Sequence, residues 1–286
     1  MVINSDHNTH RPMSEICDSA RWTGELPSLR ERYAANQPYP HVVLDDFLAP
    51  EIYAAALREF PGTDRAEWTN YFHVNEHKRA NVDPATWAPT LRMIAEVLTG
   101  DEFLAWVSAL SGFDDLVADW SMDGGGLHQC LTGGFLNVHA DFTAHHRVHT
   151  WRRRVNLLLY LNEEWRPEWN GELELWSADM ARCDATVMPL GNRVLLFTTE
   201  VDAFHGHPTP LECPDGVARQ SMALYFFSEE DHPIRNSTDY RARPGDGWRS
   251  AMIYLDKVAL RGYDVVKRRV KISDRAVSRI MQLFRR

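Results

Sequence analysis

From Leu116 onward the chain is cut into short apolar runs by turn residues, and that texture confines it to a β-rich core. Strands are expected near 127–131, 135–141, 153–161, 172–176, 193–199 and 219–228. The breaks between them include Gly124-Gly-Gly126, Gly133-Gly134, Asn170-Gly171, Gly191-Asn192 and Pro214-Asp-Gly216. Many short strands with regular turn signals argue for a sandwich or barrel. Asn170-Gly171 reads as a hairpin turn, because both residues accept positive φ cheaply.

Upstream the texture differs. Pro38-Tyr-Pro-His-Val-Val-Leu-Asp-Asp-Phe47 holds a β-branched run after proline punctuation and reads as a strand. Helical patterns follow at about 50–60 and 88–110; in the second, Leu91, Ile94, Ala95 and Leu98 recur at three- and four-residue steps. The expected layout is one domain over 1–286, mainly β with flanking helices. A flexible leader occupies 1–27, strand and helical support 28–115, the β core 116–230, and an extension 231–286. That extension ends in Ser273-Asp-Arg-Ala-Val-Ser-Arg-Ile-Met-Gln-Leu-Phe284, a basic amphipathic helix with Ser273 as N-cap. A basic helix of this kind can meet a membrane surface or an acidic partner, but its apolar face is expected to pack on its own domain or to form a homodimer.

Several classes fall away. No apolar run approaches the ~20 residues of a membrane-spanning helix, and Asp6, His7, His10 and Arg11 replace the apolar stretch of a signal peptide. A cytoplasmic location is expected. The formal net charge of −9 disfavours nucleic-acid binding, although residues 257–286 carry ten Lys/Arg against Asp264 and Asp274. Cys17, Cys130, Cys183 and Cys213 are scattered, which argues against a disulfide framework or thiolate zinc site.

The chemistry concentrates in Phe135-Leu-Asn-Val-His-Ala-Asp-Phe142. Side chains alternate on a strand, so His139 and Asp141 emerge on one face and can chelate one divalent ion together. Two histidines with one carboxylate leave an open metal face, as non-haem iron requires. A third ligand must come from elsewhere, and His205 and His207 both lie about 66 residues on, after the apolar strand Val194-Leu-Leu-Phe-Thr-Thr199. Fourteen residues past His205, Arg219-Gln-Ser221 opens another strand. A guanidinium and a hydroxyl on one face suit the far carboxylate of a dicarboxylic acid.

In these features the chain resembles the Fe(II)/2-oxoglutarate oxygenases of the prolyl 4-hydroxylase-like group. The resemblance covers about 38–245 and is densest at Gly124-Gly-Gly-Leu-His-Gln129, His139-Ala-Asp-Phe142, Arg153-Arg-Val-Asn-Leu-Leu-Leu-Tyr-Leu-Asn162, Gly171-Glu-Leu-Glu-Leu-Trp176, Phe204-His-Gly-His-Pro208 and Arg219-Gln-Ser-Met-Ala-Leu-Tyr225. It implies a double-stranded β-helix, a jelly-roll or cupin-like core. It further implies Fe(II) on His139, Asp141 and His205, with 2-oxoglutarate anchored by Arg219 and supported by Ser221. The implied reaction is hydroxylation of an unactivated C–H bond in an amino-acid, peptidyl or natural-product substrate, consuming O₂ and releasing succinate and CO₂, with ascorbate as a further candidate cofactor. Collagen-type relatives use lysine where this chain has Arg219, so the match is to the arginine-using branch. Related halogenases lack the carboxylate supplied here by Asp141, which favours hydroxylation.

Other residues admit two readings. Asn156 interrupts an apolar strand, as a 2-oxoglutarate contact or as a strand-to-strand hydrogen bond. Asn137 shares the face of His139 and is a candidate for touching substrate or a metal-bound water. His145, His146 and His149 read as loop or substrate-side residues, and His207 as lining the site or facing solvent. His128 and Gln129 follow a triple glycine that lacks the helix-opening pattern of a phosphate loop. Trp165, Trp169 and Trp176 read as packing residues, and Arg152-Arg-Arg154 as a solvated cluster or as one from which a single arginine reaches the pocket. Two rival functions remain: a non-redox metal hydrolase or isomerase on a jelly roll, in which Arg219 and Ser221 have no task, and a non-catalytic binding module, in which four filled site positions go unexplained.

Overall fold

The computed structural model describes residues 11–234, 238–247, 250 and 252–254. Its helices are α1 (Ser19–Ala35), α2 (Pro50–Glu59), α3 (Pro89–Leu98) and α4 (Asp101–Ser111). The strands are β1 (His41–Leu44), β2 (Thr69–His73), β3 (Glu76–Asn81), β4 (Val117–Ala118), β5 (Gly126–Cys130), β6 (Phe135–Ala140), β7 (Trp151–Tyr160), β8 (Leu173–Trp176), β9 (Cys183–Val187), β10 (Arg193–Thr198), β11 (Phe204–His207), β12 (Arg219–Glu229) and β13 (Asp239–Tyr240).

The hydrogen-bonded path runs β1-β10-β7-β12-β5-β3-β6-β11-β8-β9. Every pairing is antiparallel. Strands β10-β7-β12-β5 make one sheet and β6-β11-β8-β9 the other, while β3 bridges them by pairing with both β5 and β6. Apart from the β8–β9 hairpin, sequence neighbours from β5 to β12 thus alternate between sheets, which is the winding of a double-stranded β-helix, and the two sheets close into a nearly complete barrel.

Both faces of the larger sheet are covered, which explains why β7 reads as an almost unbroken apolar run. Its outer face sets Val155, Leu157, Leu159, Val194, Leu196, Met222, Leu224 and Phe226 against helix residues such as Trp22, Leu29, Leu91, Ile94 and Phe103. Its inner face contributes Tyr160, Leu195 and Phe197 to a second cluster with Leu173, Leu175 and Val187 of the facing sheet.

Four expectations change. The leader is ordered well before residue 28: α1 begins at Ser19, capped by Asp18 accepting from the Arg21 amide, and Met13, Ile16 and Trp22 are buried. Its pattern is weak because only Trp22, Leu29 and Tyr33 of 17 residues are buried. The expected helix at 88–110 is two, because Thr99 and Gly100 leave helical geometry and Gly100 caps α4. Asn170 and Gly171 do take positive φ, 57° and 87°. They close a short 3₁₀ turn at Pro167–Trp169 and join strands of different sheets, so the hairpin reading fails. The β2–β3 hairpin was not expected; its polar Glu-His-Lys-Arg stretch hides the period-two signal. The basic helix at 273–284 lies outside the described residues. Among the described residues no helix is long and apolar enough to cross a membrane.

Candidate active site

His139 sits near the end of β6 and His205 lies opposite it on β11 in direct register. That pairing depends on Gly206, where an added Cβ would stand 2.7 Å from the Leu136 carbonyl oxygen and 2.9 Å from that of Asn137. Asp141 follows β6 by one residue. Its Oδ1 lies 3.4 Å from His139 Nε2 and its Oδ2 3.4 Å from His205 Nε2. The three ligand-capable atoms fall within 4.8 Å of one another, and this is the one such cluster among the described residues.

Imidazole tautomers are set by the backbone. His139 Nδ1 faces the Asn137 carbonyl at 2.9 Å and His205 Nδ1 faces the Ala203 carbonyl at 2.9 Å. A carbonyl only accepts, so both Nδ1 atoms carry the proton and both Nε2 lone pairs point at the shared centre. Phe197 and Tyr240 pack their rings 4.8 Å and 5.4 Å from His205 and His139. The donor set, two neutral imidazoles and one carboxylate with one side open, suits Fe(II).

Asp141 is held from behind. Asn156 Nδ2 donates to its Oδ2 at 2.7 Å, and Asn156 Oδ1 accepts from Arg153 Nε at 2.7 Å. Arg153 Nη2 stands 3.5 Å from the same carboxylate oxygen. Its guanidinium lies 3.2 Å above the Tyr225 ring and 4.5 Å from that of Phe142. Burial would raise the Asp141 carboxyl; Arg153, His205 and His139 outweigh it and keep the group well below the usual carboxylate range.

Deeper in the barrel, Arg219 opens β12. Its Nε donates to the Gly171 carbonyl at 2.8 Å and its Nη2 to the Tyr160 hydroxyl at 3.3 Å. Ser221 pairs with Tyr160 in register and is buried on that face. Gly171 is required there: an added Cβ would stand 2.5 Å from Leu211 Cδ2 and 3.3 Å from Arg219 Cδ. Across the opening, Glu76 binds Lys78 at 3.0 Å and His73 at 2.8 Å. Burial works against both charges, but Lys78 lowers the Glu76 carboxyl and Glu76 raises the Lys78 ammonium in return.

The structure thus brings His139, Asp141 and His205 together and leaves His207 outside that cluster. Asn156 spends both polar atoms on Arg153 and Asp141. Asn137 turns its amide to Val74 and Asn75, bracing the β2–β3 turn. The solvated-cluster reading of Arg152–Arg154 fails at its centre: Arg153 is fully buried, whereas Arg152 and Arg154 pair with Glu200 and Glu230 at the surface. His145 pins its loop by accepting the Arg147 and Val148 amides, and His146 pairs with Asp123 at 2.8 Å. Trp165 and Trp176 are buried packing residues. Sequence reading missed Tyr160 and Lys78, and it did not single out Arg153 from its two neighbours. Tyr160 was within reach, since alternation along β7 places it on the face of Asn156.

Residues 125–227 match the family model described as the 2OG-Fe(II) oxygenase superfamily, and they contain the His-Asp-His cluster and Arg219. The matched segment, somewhat over a third of the chain, is thus similar to the 2-oxoglutarate-dependent dioxygenases. Among solved structures, a prolyl hydroxylase from Trichoplax adhaerens, in complex with a hypoxia inducible factor peptide fragment, is similar at 14% identity and a TM-score of 0.54. The similarity covers 73% of this chain and 93% of that one, and it supports the fold. A Pseudomonas putida prolyl-4-hydroxylase aligns at 19% identity and a TM-score of 0.49, over 72% of this chain and 100% of its own. HygX from Streptomyces hygroscopicus, with nickel, 2-oxoglutarate and hygromycin B bound, aligns at 15% identity and a TM-score of 0.46, over 72% and 90%. No curated protein sequence matches the chain.

Proposed function

We propose that the chain is a hydroxylase acting on an unactivated C–H bond of an amino-acid, peptidyl or natural-product substrate, with its whole length serving one oxygenase domain. The observation that carries this reading is the convergence of His139, Asp141 and His205 at the barrel mouth, with Arg219 and Tyr160 below them on the facing sheet. In this reading the three residues hold Fe(II). Arg219 takes the distal carboxylate of 2-oxoglutarate, with the Tyr160 and Ser221 hydroxyls beside it, because a buried guanidinium satisfies a carboxylate through parallel hydrogen bonds. Bound iron and co-substrate supply oxygen activation, with 2-oxoglutarate leaving as succinate and CO₂.

The chain's own residues orient and exclude. Asn156 and Arg153 fix the Asp141 carboxylate, the Phe197 and Tyr240 rings fix the imidazoles, and the inner apolar cluster keeps water from the barrel floor. A peptidyl substrate draws support from the Trichoplax relative, whose structure holds a peptide fragment. The test is spectroscopic first: anaerobic protein with Fe(II) and 2-oxoglutarate should develop a weak metal-to-ligand absorption band, and oxygen should then yield succinate. Folded protein that shows neither would overturn the proposal. Mass spectrometry for a gain of one oxygen, across amino acids, peptides and natural products, then identifies the substrate.

A further inference from the structure

His207 is the histidine of the His205-Gly206-His207 pair that the metal cluster leaves out, yet it is as deeply buried as His205. Two residues along β11 from His205, it faces the barrel interior. Its Nε2 lies 3.8 Å from the Cys130 sulfur, and Cys130 stands opposite Arg219 in the β5–β12 register. Its remaining nitrogen, Nδ1, is sealed from solvent and has no hydrogen-bond partner among the described residues. An unpartnered buried polar atom costs roughly 1–3 kcal/mol; a leucine at this position would avoid that cost.

The charged groups around the ring narrow what could meet this atom. His207 has Arg219, Lys78, His139 and His128 as its charged and titratable neighbours. It therefore borders both the metal cluster, through His139, and the carboxylate anchor, through Arg219. A dicarboxylate that reaches from one to the other would have this ring among its neighbours. Burial keeps the Cys130 thiol protonated, its pKa pushed up to about 11. The tautomer with its proton on Nδ1 leaves Nε2 free to accept the Cys130 S–H and makes the orphaned atom a donor.

We infer that His207 is a positioning residue for 2-oxoglutarate, its Nδ1–H donating to the bound dicarboxylate from the smaller sheet while Arg219 grips it from the larger one. This assignment rests on the co-substrate reading above. It gives the second histidine of the pair a task distinct from metal binding. Specificity follows from it: a neutral donor set against a cation distinguishes a dicarboxylate lying between the two from a monocarboxylate that reaches only the metal.

The test separates the two nitrogens by substitution in the full chain loaded with Ni(II). The side-chain amide nitrogen of His207→Asn overlies Nδ1, that of His207→Gln overlies Nε2, and His207→Leu removes both. Each protein is titrated calorimetrically with Ni(II) and then with 2-oxoglutarate, alongside a thermal melt. The Asn variant is expected to bind 2-oxoglutarate within about threefold of the parent, and the Gln and Leu variants about tenfold more weakly, which is the scale of one hydrogen bond to a charged group. Ni(II) affinity should stay level throughout. Equal binding by all variants, an equal loss in all three, or a loss confined to Asn would each overturn the assignment. If the Leu variant fails to fold, the Asn–Gln contrast still decides. A parent protein that binds Ni(II) but no 2-oxoglutarate would instead remove the co-substrate reading itself.

Discussion

Asp141 illustrates how far a single ligand depends on residues that never meet the metal. Its Oδ2 is engaged by Asn156 at 2.7 Å and faced by Arg153 at 3.5 Å, so the carboxylate cannot rotate freely. Asn156→Leu keeps the volume and removes the donor; metal affinity, measured by Ni(II) titration, is expected to fall 10- to 100-fold, the usual range for losing such a supporting contact. Arg219 offers the complementary test on the co-substrate side. Arg219→Met should raise the KM for 2-oxoglutarate by about 10- to 100-fold, as one buried charge-assisted contact is worth ~1.5–3 kcal/mol, while Ni(II) affinity is unchanged. Both expectations bear on how legible the site was. His139, Asp141, His205 and Arg219 could be read because their spacing on strands is one-dimensional information. Arg153 could not: three consecutive arginines look alike in sequence, and only the stack on Tyr225, 72 residues away, separates the buried one from its half-buried neighbours.

At the scale of elements, the β2–β3 hairpin is the piece that sequence patterning hid and the site most needs. It closes the gap between the sheets at β5 and β6, and its charges fold inward instead of outward. A polar strand with an inward ion pair defeats period-two reading, since that reading assumes charges face water. Glu76 is what makes the inversion tolerable, for it serves Lys78 and His73 together. Glu76→Gln leaves the Lys78 ammonium largely buried without its counter-charge, a change of roughly 3 kcal/mol by analogy with other buried pairs that lose one partner. Amide exchange in 69–81 should therefore accelerate far more than exchange in β7 or β12, whose strands lie in the middle of the larger sheet. Uniform acceleration across the sheet would mean that the hairpin is not an independently opening unit. Strand β11 was hidden for another reason: it has four residues, one of them Gly206, too few to show any period.

Over the whole molecule, the larger sheet divides its labour between faces, and the division sets how stability depends on pH. The outer face is an apolar seat for the helices, insensitive to protons. The inner face gathers titratable groups into a confined space. His128, on β5, is the clearest case, with its pKa lowered to about 3 by burial and by the Lys78 charge, against a weaker opposing pull from the Gly125 carbonyl and Glu76. A histidine kept neutral in the fold binds its proton only in the unfolded chain once pH drops below the ordinary value of about 6.5. The stability it protects is therefore complete above that pH and is lost progressively between about 6.5 and 3. One such group changes stability by at most about 1.4 kcal/mol per pH unit, and partial solvent contact keeps the real slope below that ceiling. Asp123, lowered to about 2, loses its contribution only in more acid solution, so the two windows can be told apart. Urea melts of metal-free protein from pH 8 to pH 4 should show stability falling below pH 6.5. His128→Asn, which cannot take up a proton, should fall less steeply over that interval. Parallel curves for parent and variant would place the acid sensitivity on groups other than His128.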